Sequence, residues 1–343
     1  MATNPAFAPD ADGSDETFVI FFRRLGLKPE ADPYRLDVAK FLLVALVVAG
    51  NLMHPFAAMG SKLACALHNF MAMFTFPAFV LIGGYVSAEL TQRRRRAVVA
   101  YLLIPYVLLQ SAYVGAYVLL YWRPSPRDHP GGKERAGGQL TYDWTPQGDW
   151  GPLSLAMPFG DLWYLLALVQ FIMWRPFAME MKHTVLVHML LGCCVGYTTI
   201  GRFLTLHRTV THLPFFLLGH TLRRHGMFFP PAASFPGRAI AAAALLVAAG
   251  GCFVAVYGFG HRSSAVWEMD SSYHTVWGAA YKWGGVIQAF AYVATTVVTA
   301  AFFALLPPAA AVYVQQQKQG GAGAGAAGSK PGKGGGGGGG DGG

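Results

Sequence analysis

Eight apolar stretches of near-spanning length, separated by polar segments, set the strongest limit on what this chain can fold into. They cover residues 36–56, 68–90, 98–122, 161–177, 184–201, 209–222, 238–260 and 285–306. A helix crosses the bilayer core with about 20 apolar residues, or fewer where its neighbours shield it. The expectation is therefore an all-α, polytopic transmembrane bundle of about eight spans. The stretch 209–222 is short and contains Pro214, and 161–177 is near the lower limit; a buried or re-entrant segment fits either of them too.

Composition agrees with that reading. Hydrophobic residues make up 54% of the chain and charged residues only 13%, against about 25% charged in ordinary soluble domains. The 24 Phe, 15 Tyr and 8 Trp suit interfacial belts as well as packing. A formal charge of +9 does not point to nucleic acid, because the basic residues lie between apolar stretches rather than on one face of a soluble fold. Cys65, Cys193, Cys194 and Cys252 form neither a disulfide framework nor a CxxC pattern.

Most of the 26 Lys and Arg fall on one side when the N-terminus is placed inside, including Arg93, Arg94, Arg95 and Arg96 directly after the second stretch. The positive-inside rule then predicts both termini in the cytosol. Residues 1–16 are polar and acidic, so the first span is expected to act as the insertion signal. Three regions follow: a cytosolic segment over 1–34, the membrane domain over 35–306, and a Gly/Ala-rich tail over 307–343 that cannot bury enough apolar area to fold.

Ionisable and amide groups inside spans are costly, which makes them functional candidates. The first span concentrates them. Lys40 and Asn51 are eleven positions apart, about 20° around a helix, and His54 falls within about 40° of Lys40. One face thus carries a cation at the cytosolic end, then an amide and an imidazole about 16 to 21 Å deeper. Asp37, three residues before Lys40, is placed to pair with it. Such a track suits an anionic ligand at its mouth and chemistry inside. It equally suits a snorkelling lysine above polar groups that bond to neighbouring helices. The arginine run reads as a topology signal and contact for anionic membrane lipid, or as a grip for the phosphates of a nucleotide-like ligand. Histidines are numerous, at 54, 68, 183, 188, 207, 212, 220 and 225, yet no pair shows the i,i+4 spacing of two metal ligands on one helix. No metal is expected, although a haem held across helices is a further reading that an absorption spectrum would test.

Several segments in order resemble the integral-membrane acyltransferase 3 family, in particular its fucose 4-O-acetylase-like branch. YRLDVAKFLLVALVVAGNLMHPF is similar to the first helix of that branch, and LHNFMAMFTFPAFVLIGGYVS to the second. RRRRAVVAYLLIPY resembles the basic run and Pro-Tyr that open the third, while GDLWYLLALVQFIMWRP and HLPFFLLGHTLRR match later helices. The resemblance implies transfer of an acyl group, usually acetyl from acetyl-CoA, onto a hydroxyl of a sugar-like acceptor. It implies acyl-CoA as co-substrate, with Lys40 and Arg93, Arg94, Arg95 and Arg96 binding it. The family's key pair, a basic residue and a histidine eleven positions later, maps to Lys40 and Asn51. Histidine can take a hydroxyl proton near neutral pH and an asparagine amide cannot. Thr75 likewise stands where relatives carry histidine, and Gly83 or Gly84 near their serine.

The candidate catalytic residues are therefore His54, Asn51, Lys40 and His68, with His54 or His68 as replacement base. The alternative is a catalytically silent member that acts as binder or transporter. The family's usual ten spans would place two more beyond Leu306, so the chain is expected to be either divergent or incomplete there.

Overall fold

The computed structural model describes residues 28–29, 33–87, 92–121, 158, 160–198, 203–229, 234–260, 264–268 and 272–307. Most of residues 1–34, most of the long loop after the third apolar stretch, the tail from 308 onward and the side chains of Arg93 and Arg94 lie outside these residues. Each of the eight apolar stretches forms a helix. They are α1 (Pro33–Ala58), α2 (Lys62–Ser87), α3 (Gln92–Tyr121), α4 (Trp163–Ala178), α5 (Thr184–Val195), α6 (Leu206–Arg224), α7 (Phe235–Phe259) and, after two five-residue helices α8 (Ser264–Glu268) and α9 (Tyr273–Trp277), α10 (Gly284–Leu305). Among the described residues the one sheet is a two-residue antiparallel ladder, β1 (Lys28–Pro29) on β2 (Met227–Phe228).

Five helices are long and apolar enough to cross a membrane: Tyr34–Ala58, Lys62–Ser87, Arg95–Ala116, Phe235–Phe259 and Gly278–Leu305. α4, α5 and α6 are shorter or more polar, and packing explains α6. Every residue from Thr211 to Leu222 is buried, so its histidines and threonines face protein rather than lipid. α1 shows the opposite pattern. Phe41, Val44, Val48, Leu52 and Phe56 form an exposed apolar stripe suited to lipid, while Leu36, Ala39 and Leu43 are buried in the core.

α2 is the central helix, packing most extensively on α6 and also on α1, α7 and α10. Its crossing with α6 is set by two glycines. A Cβ on Gly84 would land on the Phe216 carbonyl oxygen, and one on Gly219 would land on that of Leu81. Small residues that let backbones approach are the usual basis of helix association in membranes. Pro77 inside α2 has no N–H for the Met73 carbonyl one turn earlier, and Thr295 of α10 donates to that oxygen at 3.1 Å instead. A span can thus contain a proline without leaving a bare carbonyl.

Buried arginines tie one end of the bundle together. Arg35, at the start of α1, donates to the Phe229 carbonyl at 2.5 Å and to the Phe303 carbonyl in the last turn of α10. Arg175, near the end of α4, donates to the carbonyl of Ser87, the last residue of α2, at 2.6 Å. Cations suit these positions, where unpaired carbonyls and the helix dipole concentrate negative charge. This end, called the basic end below, also holds Arg223, whose guanidinium lies 5.1 Å from the Tyr85 ring centroid. At the opposite end Tyr273 is wedged against Gly196 and Gly284 and donates to the Cys193 carbonyl at 3.1 Å. Burial there pushes its hydroxyl well above the usual tyrosine range.

Candidate active site

Two of the predicted residues meet. His54, in the last turns of α1, and His68, near the start of α2, have ring centroids 5.2 Å apart in an edge-on arrangement. The His68 Nδ1 lies 3.2 Å from the Gly50 carbonyl. A carbonyl only accepts, so this contact places the proton on Nδ1 and the basic lone pair on Nε2. The turn at Gly60, whose φ of 93° suits glycine, joins α1 to α2 and brings the two histidines to the same end.

Asn51 is held by a residue that the pattern of the first helix does not indicate. Its Nδ2 donates to the Asp161 Oδ2 at 2.5 Å, linking α1 to the 3-10 turn Gly160–Leu162 that leads into α4. Asp161 was legible only as an acidic residue at the mouth of a span. Two residues on, Trp163 packs against Phe76 of α2 at 5.1 Å and His212 of α6 at 5.2 Å, with the Arg208 guanidinium 5.0 Å from its ring centroid. Helices α1, α2, α4 and α6 thus all bring polar or aromatic groups to this end.

Lys40 is not part of that meeting. It lies in the second turn of α1, at the basic end, in an ion pair with Asp37 at 3.0 Å. The pairing expected from their spacing is present, with Lys40 45% and Asp37 73% exposed. Of the arginine run, Arg95 is half-buried and Arg96 exposed. Arg95 lies within electrostatic reach of Arg175 and of His220, and Arg224 within reach of His220. Sequence spacing had connected none of these.

The two departures in the second helix have structural explanations. The Thr75 hydroxyl is buried and donates to the Met71 carbonyl of its own helix, a common back-bond for threonine in a span. Gly84 has no room for a serine side chain against Phe216. At Gly83 a Cβ would meet Leu168 Cδ2 at 3.1 Å and the Tyr164 hydroxyl at 3.7 Å, so a side chain there would need Leu168 to give way. Among the described residues no group of three or more His, Cys, Asp or Glu is placed to hold a metal ion.

Comparison with known families supplies the frame for this geometry. Residues 34–310 match the family model of the acyltransferase 3 domain. The chain belongs to the acyltransferase 3 family. With five helices of spanning length, this acyltransferase 3 member is an integral membrane protein of the transferase class. No curated protein and no solved structure matches it. The matched region includes all eight long helices, the His54–His68 contact and the Asn51–Asp161 bond.

Proposed function

We propose that this chain is an O-acyltransferase that moves an acyl group, acetyl in the first instance, from acyl-CoA to a hydroxyl of a sugar-like acceptor. The reading rests above all on the edge-on pair of His54 and His68, beside an Asn51–Asp161 bond, in a chain of an acyltransferase family. In this reading the His68 Nε2, or the His54 ring beside it, takes the proton of the acceptor hydroxyl. The oxygen attacks the thioester carbonyl carbon, the C–S bond breaks, and the CoA thiolate leaves with the proton. Asn51, oriented by Asp161, is placed to donate to the carbonyl oxygen as charge develops on it. The donor enters from the basic end, where Lys40, Arg95 and Arg96 lie, and we assign that end to the cytosol on the charge distribution.

The test is acyl transfer and CoA release by purified protein, comparing wild type with His54→Ala, His68→Ala and the double variant. General-base catalysis contributes about 10²- to 10⁴-fold, so the double variant should lose at least about 100-fold in turnover. Equal turnover in wild type and double variant would remove both histidines from the mechanism.

A second reading has its own support: a silent member that binds acyl-CoA or acceptor without turnover. Asn51 cannot accept a proton, and the Thr75 hydroxyl is engaged with its own backbone. This reading predicts binding without product in the wild type, and new activity in Asn51→His combined with Thr75→His.

A further inference from the structure

The polar groups of the candidate site open onto the side of the bundle that faces lipid. Asn51 is exposed, and His54, His68 and Asp161 are half-buried. At 100° per residue, Val44, Val48 and Pro55 fall within about 60° of Asn51 around α1. All three are apolar and exposed. The Asn51 amide, bonded to the Asp161 carboxylate, is thus set into the apolar stripe of α1 rather than turned into the core.

An independent contact fixes the depth. Lys62, the first residue of α2, holds its amine 4.4 Å from the ring centroid of Tyr257, near the end of α7, and both residues are exposed. A lysine beside an exposed tyrosine is the usual arrangement where helices leave the hydrocarbon for the headgroups. His68 is six residues further along α2, about 9 Å inward, and Asn51 is seven residues before the end of α1, about 10 Å inward. In a hydrocarbon core about 30 Å thick both lie in the outer third. Polar groups open to lipid at that depth are costly and point to function.

The direction of the stripe matters as well. Val48 and Val44 lie on the bilayer-centre side of Asn51, where the chains of a lipid in that leaflet run. A sugar dissolved in water gains nothing from such walls. A lipid rests its chains against them and brings its headgroup to the level of the histidines.

We propose that the acceptor is a glycolipid that approaches from within the bilayer, its chains along the α1 stripe and a headgroup hydroxyl at the His54–His68 pair. This rests on the acyltransferase reading above and names its acceptor class. The new bond joins the headgroup oxygen to the acyl carbon, the C–S bond breaks, and the hydroxyl proton leaves with the CoA thiolate.

The full-length protein in phosphatidylcholine nanodiscs, supplied with acetyl-CoA, is given monoglucosyl diacylglycerol in the bilayer or methyl glucoside in solution at equal bulk concentration. Transfer to the lipid should be faster by about tenfold or more, because anchoring raises its concentration at the site. Val48→Trp puts a bulky apolar group in the path without adding charge. It should slow transfer to the lipid about tenfold by displacing the headgroup, with transfer to methyl glucoside unchanged. Leu246→Trp, on the exposed face of α7, is the control and should alter neither. Equal transfer to the two acceptors, or full transfer to the lipid by Val48→Trp, would overturn the glycolipid assignment and leave the acyltransferase reading standing. A diazirine analogue of the glycolipid adds a readout that needs no turnover, and it should label α1 in wild type and far less in Val48→Trp. Labelling without transfer to either acceptor would sustain the docking site and overturn the acyltransferase reading. Absence of labelling would overturn the docking site, and a dimer that Val48→Trp dissociates would then give this face to a second copy.

Discussion

At the basic end, a buried histidine, His220, lies within electrostatic reach of Arg95, Arg175 and Arg224, while at the opposite end polar groups come in close pairs, His54 with His68 and Asn51 with Asp161. The first arrangement is suited to holding an anion. The second is suited to moving a proton, since it combines imidazoles with a carboxylate that fixes an amide. Lys40 and Asn51 mark these two levels on a single helix, about 16 Å apart along its axis. In the proposed reading, a donor held at the basic end extends its acyl-bearing arm through the bundle to react at the other. Binding and turnover should respond to different residues.

The sharpest break between the ends is the histidine pair. His54→Ala with His68→Ala should remove at least about 100-fold of turnover with CoA affinity unchanged, measured by product formation alongside a binding titration. Asp161→Asn comes next. It replaces a carboxylate acceptor with an amide and loosens Asn51, and small misplacements of reacting groups cost up to about 100-fold. A loss of about tenfold in kcat, with little change in the KM for acyl-CoA, would place Asp161 at the proton-transfer end as a positioning residue. Restored kcat in Asp161→Glu would confirm that the carboxylate matters.

Thr295→Val probes the scaffold that joins the two ends. It removes the donor to the Met73 carbonyl, and a buried acceptor left bare costs about 1–3 kcal/mol. Thermal unfolding in detergent should shift down accordingly, with both functions falling together. Lys40→Gln should have the smallest effect. Its partner Asp37 is 73% exposed, and exposed ion pairs contribute about 0–1 kcal/mol. Unchanged stability and CoA affinity would show that Lys40 is not the donor's anchor. A tenfold loss of CoA affinity would return the anchor to α1.

Local features were legible in the sequence and distant ones were not. Apolar length placed all eight helices, since spanning a bilayer imposes a simple requirement on each segment alone. The Asp37–Lys40 pair followed from helical spacing. By contrast, Asn51 and Asp161 are 110 positions apart, and their bond depends on how α1 docks beside the entry to α4. The same holds for Arg175 and His220, each unremarkable at the end of its own helix. α6 was legible as a helix but was a weak span in the sequence, because burial inside the bundle removes the need for an apolar surface. Gly84 illustrates a different gap. It read, with Gly83, as standing near the serine of relatives, and the structure gives it a packing role at the crossing of α2 with α6.

The most direct test of the whole account is a paired measurement on one preparation, acyl transfer and CoA binding, for wild type and the His54→Ala/His68→Ala double variant. The account predicts that the wild type forms acylated product and that the double variant binds CoA equally well while turning over at least about 100-fold more slowly. Equal rates in the two proteins would contradict it.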